Sequence, residues 1–202
     1  KGIRVANPII LLEHCINSLT IVSFVWKLKS VSRKDQIREI AQAMFREKGY
    51  AATSMRDLAA AVGIEAASLY NHIKSKEELL KEICYDCAEE FFAAINTVIT
   101  STVSADLKLT LAIQEHVKVV TNNLDGSAVF LHEWRFLTEP YLSEFKAKRK
   151  YYRLQFQQLI EQGINTGVFK PVDAKLYSLS ILSALNWIYD WYKPDGELTP
   201  ET

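Results

Sequence analysis

The stretch SLYNHIKSKEELL, residues 68–80, decides how this chain folds. Its first part places serine, tyrosine, asparagine and histidine on one short helical segment, where a helix facing only water ordinarily carries Glu, Lys and Gln. Its second part begins with Ser75, followed three residues later by Glu78, which is the capping-box pattern of a helix start. The stretch therefore predicts a contact surface followed immediately by a new helix.

The residues before this stretch predict two more helical elements. In SRKDQIREIAQAMFREKGY (32–50) the apolar residues recur with the spacing of one helix face. SMRDLAAAVG (54–63) predicts a short helix capped by Thr53 or Ser54, and IEAASLYNHI (64–73) predicts another. Two short helices joined by a tight glycine-containing turn form a helix-turn-helix, and the first helix buries their shared apolar face.

The rest of the chain also has helical spacing, and its 7 glycines and 5 prolines predict few, long elements. One long helix is predicted over 75–103, with the LDGS sequence at 124–127 as a later break. Further helices are expected at about 105–123, 127–137, 139–166 and 173–193. The predicted fold is all-α, with a three-helix head that contains the helix-turn-helix and a larger helical body.

The charges divide unequally along the chain. Residues 1–81 carry 13 Lys and Arg against 8 Asp and Glu, whereas residues 82–202 carry 11 against 16, so the formal net charge is zero. A basic front and an acidic rear fit a polyanion-binding module joined to a module that does not bind the polyanion.

Residues 33–80 resemble the DNA-binding head of the TetR/AcrR family of transcriptional repressors. Four ordered motifs carry the resemblance: F-x-x-x-G-Y (45–50), T-S-M-R-D-L-A (53–59), A-x-V-G-I (60–64) and L-Y-N-H-I-K-S-K-E-E-L (69–79). The resemblance implies a homodimer that binds a palindromic double-stranded operator, with the second short helix in the major groove.

The side chains of that second helix suit DNA contact. Ala66 and Ala67 permit close approach and can meet a thymine methyl, while Ser68 or Glu65 can reach a base or phosphate. Such residues offer few bidentate base contacts, so DNA shape is expected to contribute to specificity. The helix N-terminus at Thr53 and Ser54 favours an anion, and two lysines are expected to neutralise the DNA backbone. The predicted DNA-binding residues are Thr53, Ser54, Glu65, Ala66, Ala67, Ser68, Tyr70, Asn71, His72, Lys74 and Lys76.

The C-terminal half carries a second resemblance. RKYYRLQFQQLIEQGINTGVF (149–169) and NWIYDWYKPDGELTPE (186–201) resemble the branch of the family that responds to fatty acyl-CoA and related thioesters. This implies a cavity for a small apolar effector, such as an acyl-CoA or a fatty acid, and dimerisation through the last helices. In the family another helix follows the KPDG turn, whereas this sequence ends at Thr202, so the dimer geometry stays open. The candidate effector-binding residues are His116, His132, Trp134, Arg135, Tyr152, Phe156, Asn186 and Trp187.

Two alternatives concern other parts of the sequence. CYDC (84–87) suggests, as one alternative, a thiol-sensing regulator that uses Cys84 and Cys87. A thioredoxin-type motif lies beside a βαβ unit, however, and this one lies within a helix. The other alternative is a membrane-associated adaptor, which the apolar stretch PIILLEHCINSLTIVSFVW (8–26) suggests. Glu13, His14 and Asn17 interrupt its apolar run, however. Neither a spanning helix nor a membrane partner is therefore expected.

The remaining expectations concern chemistry and organisation. No nucleophile elbow, glycine-rich phosphate loop or metal-binding His pair is present, so neither an enzyme nor a cofactor or metal site is expected. Three cysteines without a secretory leader favour the reducing cytoplasm. The predicted division of the chain is an N-terminal extension (1–31), a DNA-binding domain (32–80) and a ligand-binding and dimerisation domain (81–202).

Overall fold

The structure is a computed structural model that describes residues 32–199. Between these two residues the chain contains helices and no strand, which confirms the all-α prediction. The α-helices are α1 Arg33–Lys48, α2 Met55–Val62, α3 Ala66–Leu69, α4 Lys76–Ile99, α5 Ala105–Asn122, α6 Leu124–His132, α7 Tyr141–Asn165, α8 Ala174–Asn186 and α9 Ile188–Trp191, with a 3-10 helix at Glu133–Phe136. None of these helices is long and apolar enough to cross a membrane. The predicted N-terminal extension, with the candidate membrane segment at 8–26, lies outside the described residues.

Reciprocal capping boxes begin the first two helices. The Ser32 hydroxyl accepts from the backbone N–H of Asp35, whose carboxylate accepts from the Ser32 N–H, and Ser54 and Asp57 repeat the arrangement at α2. Gly63 ends α2 in the left-handed conformation, with φ of 74°. These short-range hydrogen bonds place the sharp turn between α2 and α3.

The second helix of the helix-turn-helix is shorter than the sequence predicts. Helix α3 covers Ala66–Leu69 only, and turns continue the segment to Ile73, whose N–H bonds to the Leu69 carbonyl at 3.1 Å. Leu69 and Ile73 are buried and attach the segment to the head, so packing holds the residues between them in place.

The predicted break at LDGS is wrong, because these residues form the first turn of α6. Asn123 caps that helix, and its Oδ1 accepts from the Gly126 N–H at 2.8 Å. A Cβ on Gly126 would overlap the Asn123 side chain. The glycine therefore makes room for a helix cap.

Helix α4 is the centre of the molecule and packs against α1, α5, α6 and α7. One continuous core joins Phe45 of the head, Leu80 and Phe91 of α4, and Phe145 of the body. Helix α4 runs across residue 80, and the hydrophobic core is continuous on both sides of that residue. The division of the chain into two domains at residue 80 stays a prediction.

Candidate functional site

The outer face of the head is formed by α3 and the turns after it. Tyr70 is 54% exposed although its neighbour Leu69 is fully buried, so the aromatic ring is presented outward by an anchored segment. Among the residues predicted to bind DNA, Ala66 and Ser68 are half-buried, and the exposed ones are Ser54, Glu65, Ala67, Tyr70, Asn71, His72 and Lys74.

Thr53 and Lys76 have their side chains engaged within the head. Thr53 is 1% exposed, and its hydroxyl donates to the Gly49 carbonyl at 3.0 Å. The Lys76 ammonium donates to the carbonyls of Tyr50 and Thr53, both at 2.8 Å, and lies 4.2 Å from the centre of the Tyr50 ring. Both residues therefore hold the turn between α1 and α2. The structure does not present Lys76 as a free cation.

The basic excess of the front half lies mainly outside the head. Residues 32–81 carry 9 Lys and Arg against 7 Asp and Glu. Two of these cations are tied to α4, because Lys34 contacts Glu82 at 2.5 Å and Arg38 contacts Asp86 at 2.6 Å. A polyanion would therefore be attracted to the described head by other basic side chains.

Lys48 and Arg56 are two such cations, and the predicted set omitted both. They are exposed beside the start of α2. Hydrogen bonds from Ser54 lower the pKa of the Asp57 carboxyl, and the nearby charges of Lys48 and Arg56 lower it further. Lys74, in the turn after α3, is a third exposed cation: its side chain is 88% exposed, and its ammonium lies 3.4 Å from the Glu78 carboxylate. The position of Arg56 in the first turn of α2 was the sequence signal available for it.

A cavity of about 340 Å³ lies in the body among α4, α5, α6, α7 and α8. Its apolar wall includes Phe91, Phe130 and Leu182, while Lys150 and Arg153 stand among its polar groups. This volume is at the lower end of the range for ligand pockets.

Three of the eight candidate effector residues line this cavity, namely His116, Tyr152 and Asn186. Phe156 is fully buried against the rings of His116 and Tyr152, so it supports the wall from behind. The other four lie elsewhere: His132 is exposed beside Tyr189, Arg135 is exposed and bonds to the His132 carbonyl, Trp187 is 57% exposed, and Trp134 packs on Phe145.

Arg149 of α7 is one of the cavity-lining residues that the candidate set missed. Its guanidinium carbon lies 5.2 Å from the ring centre of Trp134 and 5.7 Å from that of Phe130. Its Nη1 is buried and has no hydrogen-bond partner among residues 32–199. Burial and then Arg135 lower the pKa of Arg149, but a guanidinium stays protonated in proteins. The spacing of Arg149 and Arg153, one helix turn apart, was the available signal.

His116 and Tyr152 form a second polar group in the cavity wall. His116 Nδ1 lies 3.1 Å from the Tyr152 hydroxyl oxygen, and its Nε2 is buried with no partner within the described part of the chain. Burial lowers the pKa of His116 to about 3, so the imidazole is neutral at physiological pH. The cavity thus offers three cations, Arg149, Lys150 and Arg153, and one neutral polar pair beside its apolar wall.

Both halves of the chain match descriptions of one family. "Bacterial regulatory proteins, tetR family" matches residues 37–83, and "Tetracyclin repressor-like, C-terminal domain" matches residues 102–202. The chain belongs to the TetR family. The resemblance seen in the sequence is confirmed, and as a TetR-family transcription regulator this protein is not an enzyme.

Individual TetR-family proteins extend the likeness over most of the chain. The HTH-type transcriptional repressor KstR2 of Mycobacterium tuberculosis is 30% identical over 173 residues, covering 84% of this chain and 86% of the repressor. The structure of that organism's ketosteroid transcriptional regulator KstR2 superimposes with a TM-score of 0.81 at 29% identity, over 86% of this chain and 89% of the other. AibR in complex with isovaleryl coenzyme A and operator DNA has a TM-score of 0.74 at 30% identity, over 84% and 92%.

The cysteine pair of this TetR-family protein does not have the properties of a thiol sensor. Cys84 and Cys87 are 0% and 6% exposed. Burial raises the pKa of Cys84 to about 12 and also raises that of Cys87. Because the thiolate is the reactive form, both residues are inert small hydrophobes in the folded protein. Residues 32–199 contain no group of three or more His, Cys, Asp or Glu side chains that could hold a metal ion.

Proposed function

We propose that this protein is a repressor that binds a palindromic operator as a homodimer and leaves it when the apolar part of an anionic effector occupies the body cavity. The observation that carries the effector assignment is Arg149 at the cavity wall, whose Nη1 is buried and has no hydrogen-bond partner among residues 32–199. An unpaired buried cation costs free energy, and an anionic ligand recovers that cost on binding.

The DNA contacts that support this proposal lie on the α3 face. Ala67 and Tyr70 are exposed where base edges and flanking phosphates would lie, and Lys48, Arg56 and Lys74 are exposed cations of the same head. Thr53 and Lys76 support the same surface from inside by holding the preceding turn. Because the head has few free cations and its recognition helix is short, we expect the shape of the DNA at the operator to contribute to sequence specificity.

An acyl-CoA is the effector class that we propose. The apolar wall accommodates an acyl group, and Arg149 can pair with a carboxylate or phosphate. Lys150 is exposed at the cavity, where it can meet charges that remain outside. The crystal structure of AibR contains isovaleryl coenzyme A and operator DNA, which supports an acyl-CoA as the effector class of the present protein.

Dimerisation is proposed through the last two helices, α8 and α9. Leu176 and Tyr177 are 57% and 50% exposed, and Trp187 and Trp191 are 57% and 48% exposed. Large apolar side chains concentrated on one part of a surface mark an association site. A palindromic operator requires two heads related by a twofold axis, which an interface between two copies of these helices supplies.

The route from cavity to head is proposed to run through the 3-10 helix. Trp134 of this helix stacks on Arg149. Its neighbour Glu133 accepts a hydrogen bond from the Tyr50 N–H at 3.0 Å, and the Phe136 ring lies 5.3 Å from that of Tyr50. Tyr50 lies in the turn that positions α2, so an anion that draws Arg149 away from Trp134 would shift the helix-turn-helix.

The test begins with operator duplexes selected from random DNA with the purified protein. Fluorescence anisotropy then follows release of the selected duplex by isovaleryl-CoA and decanoyl-CoA, with free coenzyme A as the control. We expect a dimer on DNA and release by at least one thioester but not by free coenzyme A. A monomer, or a protein that selects no duplex, would refute the repressor proposal, and indifference to every acyl-CoA would refute the effector class.

A further inference from the structure

The His116–Tyr152 pair is the polar feature of the cavity that an apolar anion alone does not explain. His116 is 2% exposed, and its Nδ1 is engaged with the Tyr152 hydroxyl. The ring centres of Phe91 and Phe156 lie 4.7 Å and 6.4 Å from the imidazole, and neither ring offers a hydrogen-bonding atom. Nε2 has no partner between residues 32 and 199, which leaves water or a ligand in the cavity that His116 lines to satisfy it.

The hydrogen-bond requirements of the pair decide what Nε2 offers. If the Tyr152 hydroxyl donates to Nδ1, one buried donor stays unsatisfied, the Nε2–H. If Nδ1–H donates to Tyr152, two groups stay unsatisfied, namely the Tyr152 O–H and a bare Nε2. Buried polar groups without partners are costly, so the first arrangement is favoured. His116 then presents Nε2–H as a donor.

Resting on the proposed effector function, we propose that His116 Nε2–H donates to a carbonyl oxygen on the apolar part of the effector. The effector class becomes an acyl thioester whose chain or ring carries an oxo group, and Arg149 takes its anionic part. An unsubstituted acyl chain would leave the buried N–H unsatisfied and bind at least about tenfold more weakly. Because burial keeps the imidazole neutral, a neutral oxygen suits it and a phosphate of the thioester suits Arg149.

The first experiment determines the tautomer of His116 in the free protein. Nitrogen NMR of the full chain with ¹⁵N-labelled histidine resolves 4 imidazoles, and the His116→Gln variant assigns the one of interest. We expect a proton on Nε2 and none on Nδ1 at pH 7. A proton on Nδ1 would overturn the proposal whatever the effector is.

The second experiment compares decanoyl-CoA with decanoyl-CoAs that carry one keto oxygen at carbon 3, 5, 7 or 9, by calorimetry. We expect at least one keto form to bind about tenfold more tightly than decanoyl-CoA. His116→Phe should abolish this preference, His116→Gln should retain part of it through its amide N–H, and Tyr152→Phe should reduce it. Arg149→Met should weaken all five ligands and leave the preference unchanged.

The outcomes separate this inference from the function on which it rests. Tight binding of all five ligands without preference overturns the carbonyl contact and leaves the effector class standing. A preference that persists in both His116 variants assigns the contact to another residue and overturns the proposal. If none of the five binds, the acyl-CoA class fails, and the tautomer measured in the free protein decides whether His116 is a donor.

Discussion

Replacing Arg149 with methionine should stabilise the free protein and weaken effector binding if, as we propose, the residue is arranged for a ligand rather than for the fold. Its buried Nη1 has no partner within residues 32–199, and leaving a charged donor unsatisfied costs about 1–3 kcal/mol or more. Two cation–π contacts, to Trp134 and Phe130, offset this by about 0.5–1 kcal/mol each. Methionine regains part of that offset, since its sulfur also packs favourably on aromatic rings.

The net expectation is a gain of about 1–2 kcal/mol in the free energy of unfolding, or about 2–8 °C in Tm for a chain of this size. Differential scanning fluorimetry at a fixed protein concentration measures it, since the stability of a dimer depends on concentration. Affinity for decanoyl-CoA should fall by about 10- to 150-fold, the loss of a charge-assisted hydrogen bond of about 1.5–3 kcal/mol.

Arg153→Met is the matched control on the same helix. Arg153 is one turn away, but its guanidinium already donates to Gln157 at 2.8 Å, so its removal should bring no gain in Tm. Lys146→Met, at an exposed position that does not line the cavity, controls for loss of positive charge on α7. If Arg149→Met lowered Tm while Arg153→Met left it unchanged, Arg149 would be a structural residue. The interpretation that Arg149 is left unpaired for a ligand would then be refuted.

Three further predictions concern coupling, DNA contact and pH. Glu133→Ala removes the acceptor of the Tyr50 N–H, so decanoyl-CoA should still bind in calorimetry but should release the operator poorly in anisotropy. Glu133→Gln keeps an acceptor, so its operator should be released normally. Equal release from the two variants would exclude this route. Lys74→Ala should lower the magnitude of the slope of log K for duplex DNA binding against log salt concentration by about 1. Lys146→Ala is the control and should leave the slope unchanged. An unchanged slope in Lys74→Ala would show that Lys74 does not contact DNA. The folded pKa of His116, about 3, lies below its unfolded value of about 6.5, so its contribution to stability is complete above pH 6.5 and is lost as pH falls toward 3. Urea unfolding from pH 7 to 5 should therefore show a loss steeper than in His116→Phe by up to about 1.4 kcal/mol per pH unit, and parallel curves would contradict the buried neutral imidazole.

The head could be predicted from the sequence because short-range bonds determine most of it. The capping boxes join residues three apart, Ser32 with Asp35 and Ser54 with Asp57, and Gly63 ends α2 within the same short stretch. Such pairs are visible in any window of ten residues. The LDGS error has a local cause as well, since Gly126 was read as a turn residue although it accommodates the Asn123 cap.

Side-chain destinations beyond a few residues were decided by the tertiary structure. Lys76 was expected on DNA, but two carbonyls from a turn 23 and 26 residues earlier accept its hydrogen bonds. Among the candidate effector residues, composition could not separate His116, which lines the cavity, from His132, which lies on the surface. The spacing of Arg149 and Arg153 could not show which of the two would have a buried nitrogen without a partner, because that depends on the packing around the cavity.

The sequence by itself therefore determined the helices, the helix-turn-helix and the family, because periodicity and capping act between near neighbours along the chain. Only the tertiary structure decided which polar groups lose water and which find a partner. The cost of burying Arg149 and His116 depends on helices far away in the sequence, and that cost is what marks them as ligand-binding candidates.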